Sequence, residues 1–167
     1  MRDLAKDPLR VLVLCTGNSA RSQIAEVLFN TLGKGRLRAE SAGSRPAPRV
    51  NPLAIDTLRD HGFPWHGHQP RSVDGLEKEP WDFVITVCDK AKESCPVFPG
   101  QPMLAHWGMP DPAEVVGDEA ARRAAFRDAL LLLRRRVELM LALPLEKLER
   151  MALEARVRAI GGAPAHD

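Results

Sequence analysis

Residues 10–14, RVLVL, are apolar without alternation after Arg10, and this run constrains the fold more than any other feature of the chain. A strand of that kind hides both of its faces. After Ser19, the residues Ile24, Val27, Leu28 and Leu32 recur at helical spacing until Gly33 stops them. The chain therefore opens as strand, loop, helix. Leu37 to Ala42 is a weaker strand. Asn51 as cap and Pro52 as first helical residue start a second helix, with Ile55 and Leu58 inward, that ends near Gly62. DFVITV at 82–87 is the clearest strand after the first, and Met103 to Trp107 a shorter one. A last long helix is expected from about Asp118 to Leu143, with Phe126, Leu130, Leu133, Val137 and Leu141 on one face. Strands separated by helices imply right-handed crossovers. The expected class is thus α/β: a single domain with a four-stranded parallel sheet and helices on both faces. Residues 1–143 hold this alternation, with no internal repeat. Residues 144–167 stand outside it as a helical or loose extension: LEKLERMALEARVRAIGG has helical propensity, and the final GGAPAHD reads as loose.

A length of 167 residues suits one domain with a core of ordinary size. The formal net charge of +2 is too small a basic excess to favour nucleic acid or a membrane surface as partner. MRDLAKDPLR is too charged for a signal sequence and no stretch approaches a transmembrane helix, so the expected location is cytoplasmic. Three cysteines are too few for a disulfide framework. In a reducing compartment they are buried fillers, metal ligands or reactive groups, and each has to be argued by its place.

Cys15 follows directly on the first strand, and parallel sheets bind ligands at the carboxyl ends of their strands. The loop Thr16, Gly17, Asn18, Ser19, Ala20 can turn several backbone N–H groups inward as a nest, with Gly17 permitting close approach and Asn18 tolerating a left-handed conformation. A nest binds an oxyanion. The next helix adds its positive end, and Arg21 can clamp two oxygens of a tetrahedral anion with its fork. The same field is expected to lower the thiol pKa of Cys15, and Ser22 is placed to donate to that sulfur. Taken singly, Cys15 reads as a small filler and Arg21 as a solvated helix residue. Taken together, a cysteine, five small or polar residues and Arg-Ser between strand and helix are jointly demanding.

That motif, with the elements around it, resembles the low-molecular-weight phosphotyrosine phosphatase fold and, within it, the thioredoxin-coupled arsenate reductases, over about residues 10 to 143. The phosphatase branch usually carries a second loop cysteine and tyrosines after an Asp-Pro. This chain has Ala20 in the loop, Ala113 and Glu114 after Asp111-Pro112, and no tyrosine. "VCDKAKESCP", with Cys88 and Cys95, and "HWGMPDPAE" resemble the reductase branch instead. Read without the resemblance, Cys88 and Cys95 are ordinary apolar residues or metal ligands; their spacing of seven is not a zinc knuckle, and none of the five histidines pairs with them by a metal-type spacing. Asp111 on its own is a turn residue before proline.

The resemblance implies that Cys15, Arg21 and Asp111 are catalytic, with Asp111 as general acid. It also implies a relay. Cys15 attacks arsenate, Cys88 attacks Cys15 as arsenite leaves, and Cys95 attacks Cys88 to leave a disulfide for thioredoxin. If residues 88–95 were helical throughout, their Cα atoms would stand roughly 10 Å apart, against the roughly 4.4–6.8 Å of a disulfide, so this segment has to unwind or loop. Some reductases of this branch also bind potassium with side chains resembling Asn18, Glu26 and Ser41. Where they add an acidic ligand, shortly after His68, this chain has Arg71, so its guanidinium is expected in the cation's role and no metal or other cofactor is expected. His61, His66 and His68 cluster in a loop and remain unassigned. Two other readings stay open: a phosphatase acting on phosphate monoesters with the same Cys15, Arg21 and Asp111, and a sensor in which Cys88 and Cys95 report oxidation. Arsenate, phosphate or sulfate are the expected oxyanions and thioredoxin the expected protein partner.

Overall fold

A computed structural model describes residues 7–147 and 150–162. Its elements run β1 (Leu9–Cys15), α1 (Arg21–Leu32), β2 (Leu37–Gly43), α2 (Pro52–Asp60), β3 (Phe83–Thr86), α3 (Asp89–Glu93), β4 (Met103–His106), α4 (Glu119–Leu141) and α5 (Arg150–Ile160). Short 3-10 turns lie at Leu76–Lys78 and Pro112–Glu114. The four strands form one parallel sheet in the order β2-β1-β3-β4, with Val13 opposite both Ser41 and Ile85. Val11, Leu12, Val13 and Leu14 of β1 are all buried. Consecutive strand residues point to opposite faces, so both faces of the sheet are covered, as the unbroken apolar run requires.

Local chemistry sets the helix ends. Asn51 accepts from Leu53 N at 2.9 Å and Pro52 occupies the first turn of α2, while Asp118 accepts from Ala121 N at 2.8 Å to start α4. Gly33 follows α1 because a Cβ there would stand 2.5 Å from Phe29 O. The inward faces differ slightly from the expected ones. In α2 the buried residues are Ala54, Thr57 and Leu58, with Ile55 at the margin. In α4 the buried stripe runs Phe126, Leu130, Leu133, Val137 and then Met140 rather than Leu141, because steps of three and four must alternate to keep pace with 3.6 residues per turn.

After Pro144 the chain forms α5, which packs on β4. Leu145, Leu153, Val157 and Ile160 are buried in the same core as the sheet. Of the GGAPAHD stretch, residues 163–167 lie outside the described residues, as do 1–6 at the other end. Among the described residues, no helix is long and apolar enough to cross a membrane.

Candidate active site

β1 and β3 are neighbours, so the turns that leave their carboxyl ends meet. A cleft of about 390 Å³ opens there, lined by residues 15–21 of the first turn, Cys88, Asp89 and Lys90 of the second, and Met109, Asp111 and Glu114 from the chain beyond β4.

The first turn is held from behind by Asn18. Its backbone is left-handed at φ 51°, as its residue type allows, and the side chain is fully buried. Nδ2 donates to Ser22 Oγ and Ser41 Oγ, each at 2.9 Å, and Oδ1 accepts from Arg71 N at 3.1 Å. Gln23 Nε2 donates to Asn18 O at 3.1 Å. The Ser22 oxygen, expected from sequence to donate to the Cys15 sulfur, also accepts from Asn18. α1 begins after Ala20 with no side-chain cap and no acid in its first turn, so the positive end of the helix is left facing the cleft. Arg21 is nearly buried: Nη1 donates to Met109 O at 2.8 Å and Nη2 stands 3.6 Å from Asp111 Oδ2. Asp111 serves both readings of its sequence. Its Oδ1 accepts from Ala113 N at 2.9 Å as a turn residue, and its other oxygen turns to Arg21.

Cys88 sits two residues past β3 and caps α3, its sulfur accepting from Ala91 N at 3.4 Å. The Thr16 hydroxyl oxygen lies 3.3 Å from the same sulfur, where either atom can donate. Hydrogen bonding with Cys15 first, then with Thr16 and the Ala91 N–H, outweighs partial burial and pushes the Cys88 thiol down to about 5. The Cys15 thiol moves up, because its hydrogen bond to Cys88 and its burial outweigh the nearby Arg21 guanidinium and the Thr16 N–H. This corrects the expectation of a lowered Cys15. The sequence accounted for the field of the nest and of Arg21 but not for a second sulfur beside the first.

Cys95 is half-buried, and burial pushes its thiol up. It does not lie on a helix that includes Cys88. α3 is only five residues long and the chain from Pro96 to Phe98 is irregular, so a single short turn separates the two cysteines. His106 Nδ1 meets Thr86 Oγ1 at 2.7 Å and its Nε2 meets Asp89 Oδ1 at 2.9 Å, tying the start of α3 to β4.

The residues matched to a potassium site bind one another. Ser41 Oγ donates to Glu26 Oε1 at 3.1 Å, and His68 Nε2 lies 2.9 Å from that same oxygen. The hydrogen bond to Glu26 raises the His68 pKa. Arg71 instead pairs with Glu40 at 2.8 Å and donates to Ser41 O at 3.0 Å. The side chain beside Glu26 is therefore His68, not Arg71: the Arg71 side chain runs along β2, where Glu40 compensates it. Among the described residues, no group of three or more His, Cys, Asp or Glu is arranged to hold a metal ion. Met109, whose contribution is a carbonyl, and Gln23 were not found from sequence, since a backbone oxygen carries no residue signature.

Residues 10–151 match the low molecular weight phosphotyrosine protein phosphatases, and the chain belongs to that family. Among its relatives is the arsenate reductase of Halalkalibacterium halodurans, 36% identical over 121 residues that make up 70% of this chain and 84% of that protein. Its fold is similar to a solved arsenate reductase in a phosphate-binding state, with a TM-score of 0.69 and 28% identity over 80% of this chain and 97% of the other. It is also similar to the thioredoxin-dependent arsenate reductase of Corynebacterium glutamicum, with a TM-score of 0.55 and 25% identity over 81% of this chain and 64% of that one.

Proposed function

We propose that this chain reduces arsenate to arsenite, with Cys15, Cys88 and Cys95 as successive thiols and a thioredoxin as reductant. The observation that carries the reading is that Cys88 lines the same cleft as Cys15, its sulfur 3.3 Å from the hydroxyl oxygen of the neighbouring Thr16. This second thiol comes from the turn after β3 and not from inside the loop, where the chain has Ala20.

Arsenate enters the nest of residues 16–20, with two of its oxygens on Arg21 and Ser22 supporting the loop through Asn18. As Cys15 attacks arsenic, its proton passes to Cys88, and Asp111 protonates the departing hydroxide so that water leaves. Cys88 then attacks the Cys15 sulfur. The S–S bond forms as the S–As bond breaks, the bonding pair stays on arsenic as As(III), and the Cys88 proton goes to an arsenite oxygen. Cys95 attacks Cys88 and expels the Cys15 thiolate, and a thioredoxin dithiol reduces the Cys88–Cys95 bridge. The thioredoxin dependence of the C. glutamicum neighbour supports that last step. Three thiols that must start reduced suit a reducing compartment such as the cytoplasm. Residues 1–143 supply every group in this scheme, and 144–167 are an extension attached to it.

Hydrolysis of phosphate monoesters is a slower side reaction of the same Cys15, Arg21 and Asp111, favoured by the 3.6 Å approach of Asp111 to Arg21. Glu114 at the rim offers an aromatic ester no ring to stack on and repels anionic peptides. The deciding experiment mixes the protein with arsenate, thioredoxin, thioredoxin reductase and NADPH. NADPH loss that depends on arsenate is the expected result, and its absence with a competent thioredoxin system rejects the reading.

A further inference from the structure

The five residues from Trp107 to Asp111 connect β4 to the carboxyl group facing Arg21, without regular structure of their own. They are held on both sides. On the cleft side Met109 O accepts from Arg21. On the far side stands Arg136 of α4, only 5% exposed, whose Nη1 donates to Trp107 O at 2.9 Å and Gly108 O at 3.2 Å and whose Nη2 donates to Gly161 O at 3.0 Å. Trp107 is fully buried, and its Nε1 donates to Val157 O of α5 at 3.0 Å. Gly161 approaches so closely that a Cβ there would stand 2.3 Å from His106 O and 3.1 Å from the Trp107 ring.

Arg136 has no carboxylate partner among the described residues. Burying a guanidinium among carbonyls is costly. The cost is offset where carbonyls lack other donors and the helix dipole favours a cation, and Gly161 at the end of α5 is such a place. Nothing in the proposed chemistry uses Arg136 or Trp107 directly, yet both fix the start of the segment that ends at Asp111.

We infer that Arg136 and α5 form a brace that positions Asp111: the last carbonyls of α5, the Arg136 guanidinium and the Trp107 indole together set where the carboxyl group meets the leaving atom. The inference rests on reading Asp111 as proton donor. A general acid acts only within about 2.6–3.2 Å of the atom it protonates, and a displacement of about 1 Å is enough to cost most of its effect. Arg136 and Trp107 are positioning residues, and α5 gains a role that the thiol relay does not ask of it.

The test measures hydrolysis of a series of aryl phosphates whose phenols run from acidic to basic. Trp107→Phe removes the indole donor and keeps a ring against Phe29; Arg136→Met removes the clamp, and Arg136→Lys restores its charge and part of its reach. With Asp111 displaced, esters of basic phenols slow by about tenfold or more while esters of acidic phenols change little. Inhibition by inorganic phosphate, which reads the loop of residues 15–21, stays at the wild-type level. Arg136→Lys falls between wild type and Arg136→Met, and Asp111→Asn shows the full leaving-group effect. A lowered melting temperature with a wild-type leaving-group dependence in both Trp107→Phe and Arg136→Met overturns the brace, provided Asp111→Asn shows the effect. If Asp111→Asn shows none, or the wild type hydrolyses no ester, the donor reading is what fails. Hydrogen exchange at Trp107, Gly108, Met109 and Asp111 then decides the brace: faster exchange in Trp107→Phe upholds it and unchanged exchange rejects it.

Discussion

Two strand-to-helix turns lie side by side at the carboxyl end of the sheet, one after β1 and one after β3, and they are built for opposite ends. The first feeds α1, twelve residues long, in which every residue from Arg21 to Phe29 is buried. Behind it Asn18 joins Ser22, Ser41 and Arg71 in one buried network. The second feeds α3, five residues long, in which only Ala91 is buried. The first helix leaves its N-terminal donors for an anion. The second spends one of its donors on the Cys88 sulfur, so the reacting atom is also the cap. When that sulfur enters a disulfide it becomes a poor acceptor, and α3 loses its cap as it is asked to bend. Ion binding needs a turn that stays as it is, whereas a relay needs one that oxidation undoes.

The sharpest way to break this contrast is to remove each sulfur in turn. Cys15→Ser abolishes both arsenate reduction and aryl phosphate hydrolysis. Cys88→Ser and Cys95→Ser abolish multiple-turnover reduction with thioredoxin and leave hydrolysis largely intact. Near wild-type arsenate turnover by Cys88→Ser would show that the second turn has no part in the chemistry.

The first turn is probed by its ion. Phosphate at a hundredfold excess over its dissociation constant raises the melting temperature by about 5–10 °C, since only the folded loop binds it. Arg21→Lys removes most of that shift, because an ammonium cannot replace the fork. A melting temperature that ignores phosphate in the wild type would count against the nest.

A smaller effect concerns the second turn alone. With the Cys88–Cys95 bridge verified by mass, amides from Asp89 to Ser94 exchange markedly faster than in the reduced protein, and those of α1 change little. Equal protection of 89–94 in both redox states would make the two turns alike and remove the structural route to thioredoxin.

The smallest effect lies behind the first turn, at the pair of His68 and Glu26. Since Glu26 raises the folded pKa of His68, the stability from this pair is fully present below the unfolded value of about 6.5 and is lost as pH rises through the folded one. The melting temperature of His68→Asn therefore lies furthest below wild type near about pH 6, and the gap narrows towards about pH 9. A gap that widens with pH would mean that the pair carries no protonated histidine.

What the sequence determined by itself is what neighbours in the chain decide. The apolar run VLVL after Arg10 places β1, Asn51-Pro52 and Asp118 start α2 and α4, and the residues from Cys15 to Ser22 define a turn with a left-handed Asn18, because capping, turn chemistry and periodicity act over a few residues. The four-stranded parallel sheet and the anion loop were legible on those grounds. Only the tertiary structure decided which distant groups share a proton or a charge. It put Cys88 beside Cys15 in one cleft, turned His68 rather than Arg71 to Glu26, and ran α5 back along β4 to reach Trp107 and Arg136. Each of these pairs lies dozens of residues apart in the chain. Desolvation and hydrogen bonding fall off within a few ångströms, so their outcome is set by which strands and helices lie side by side in the packed molecule.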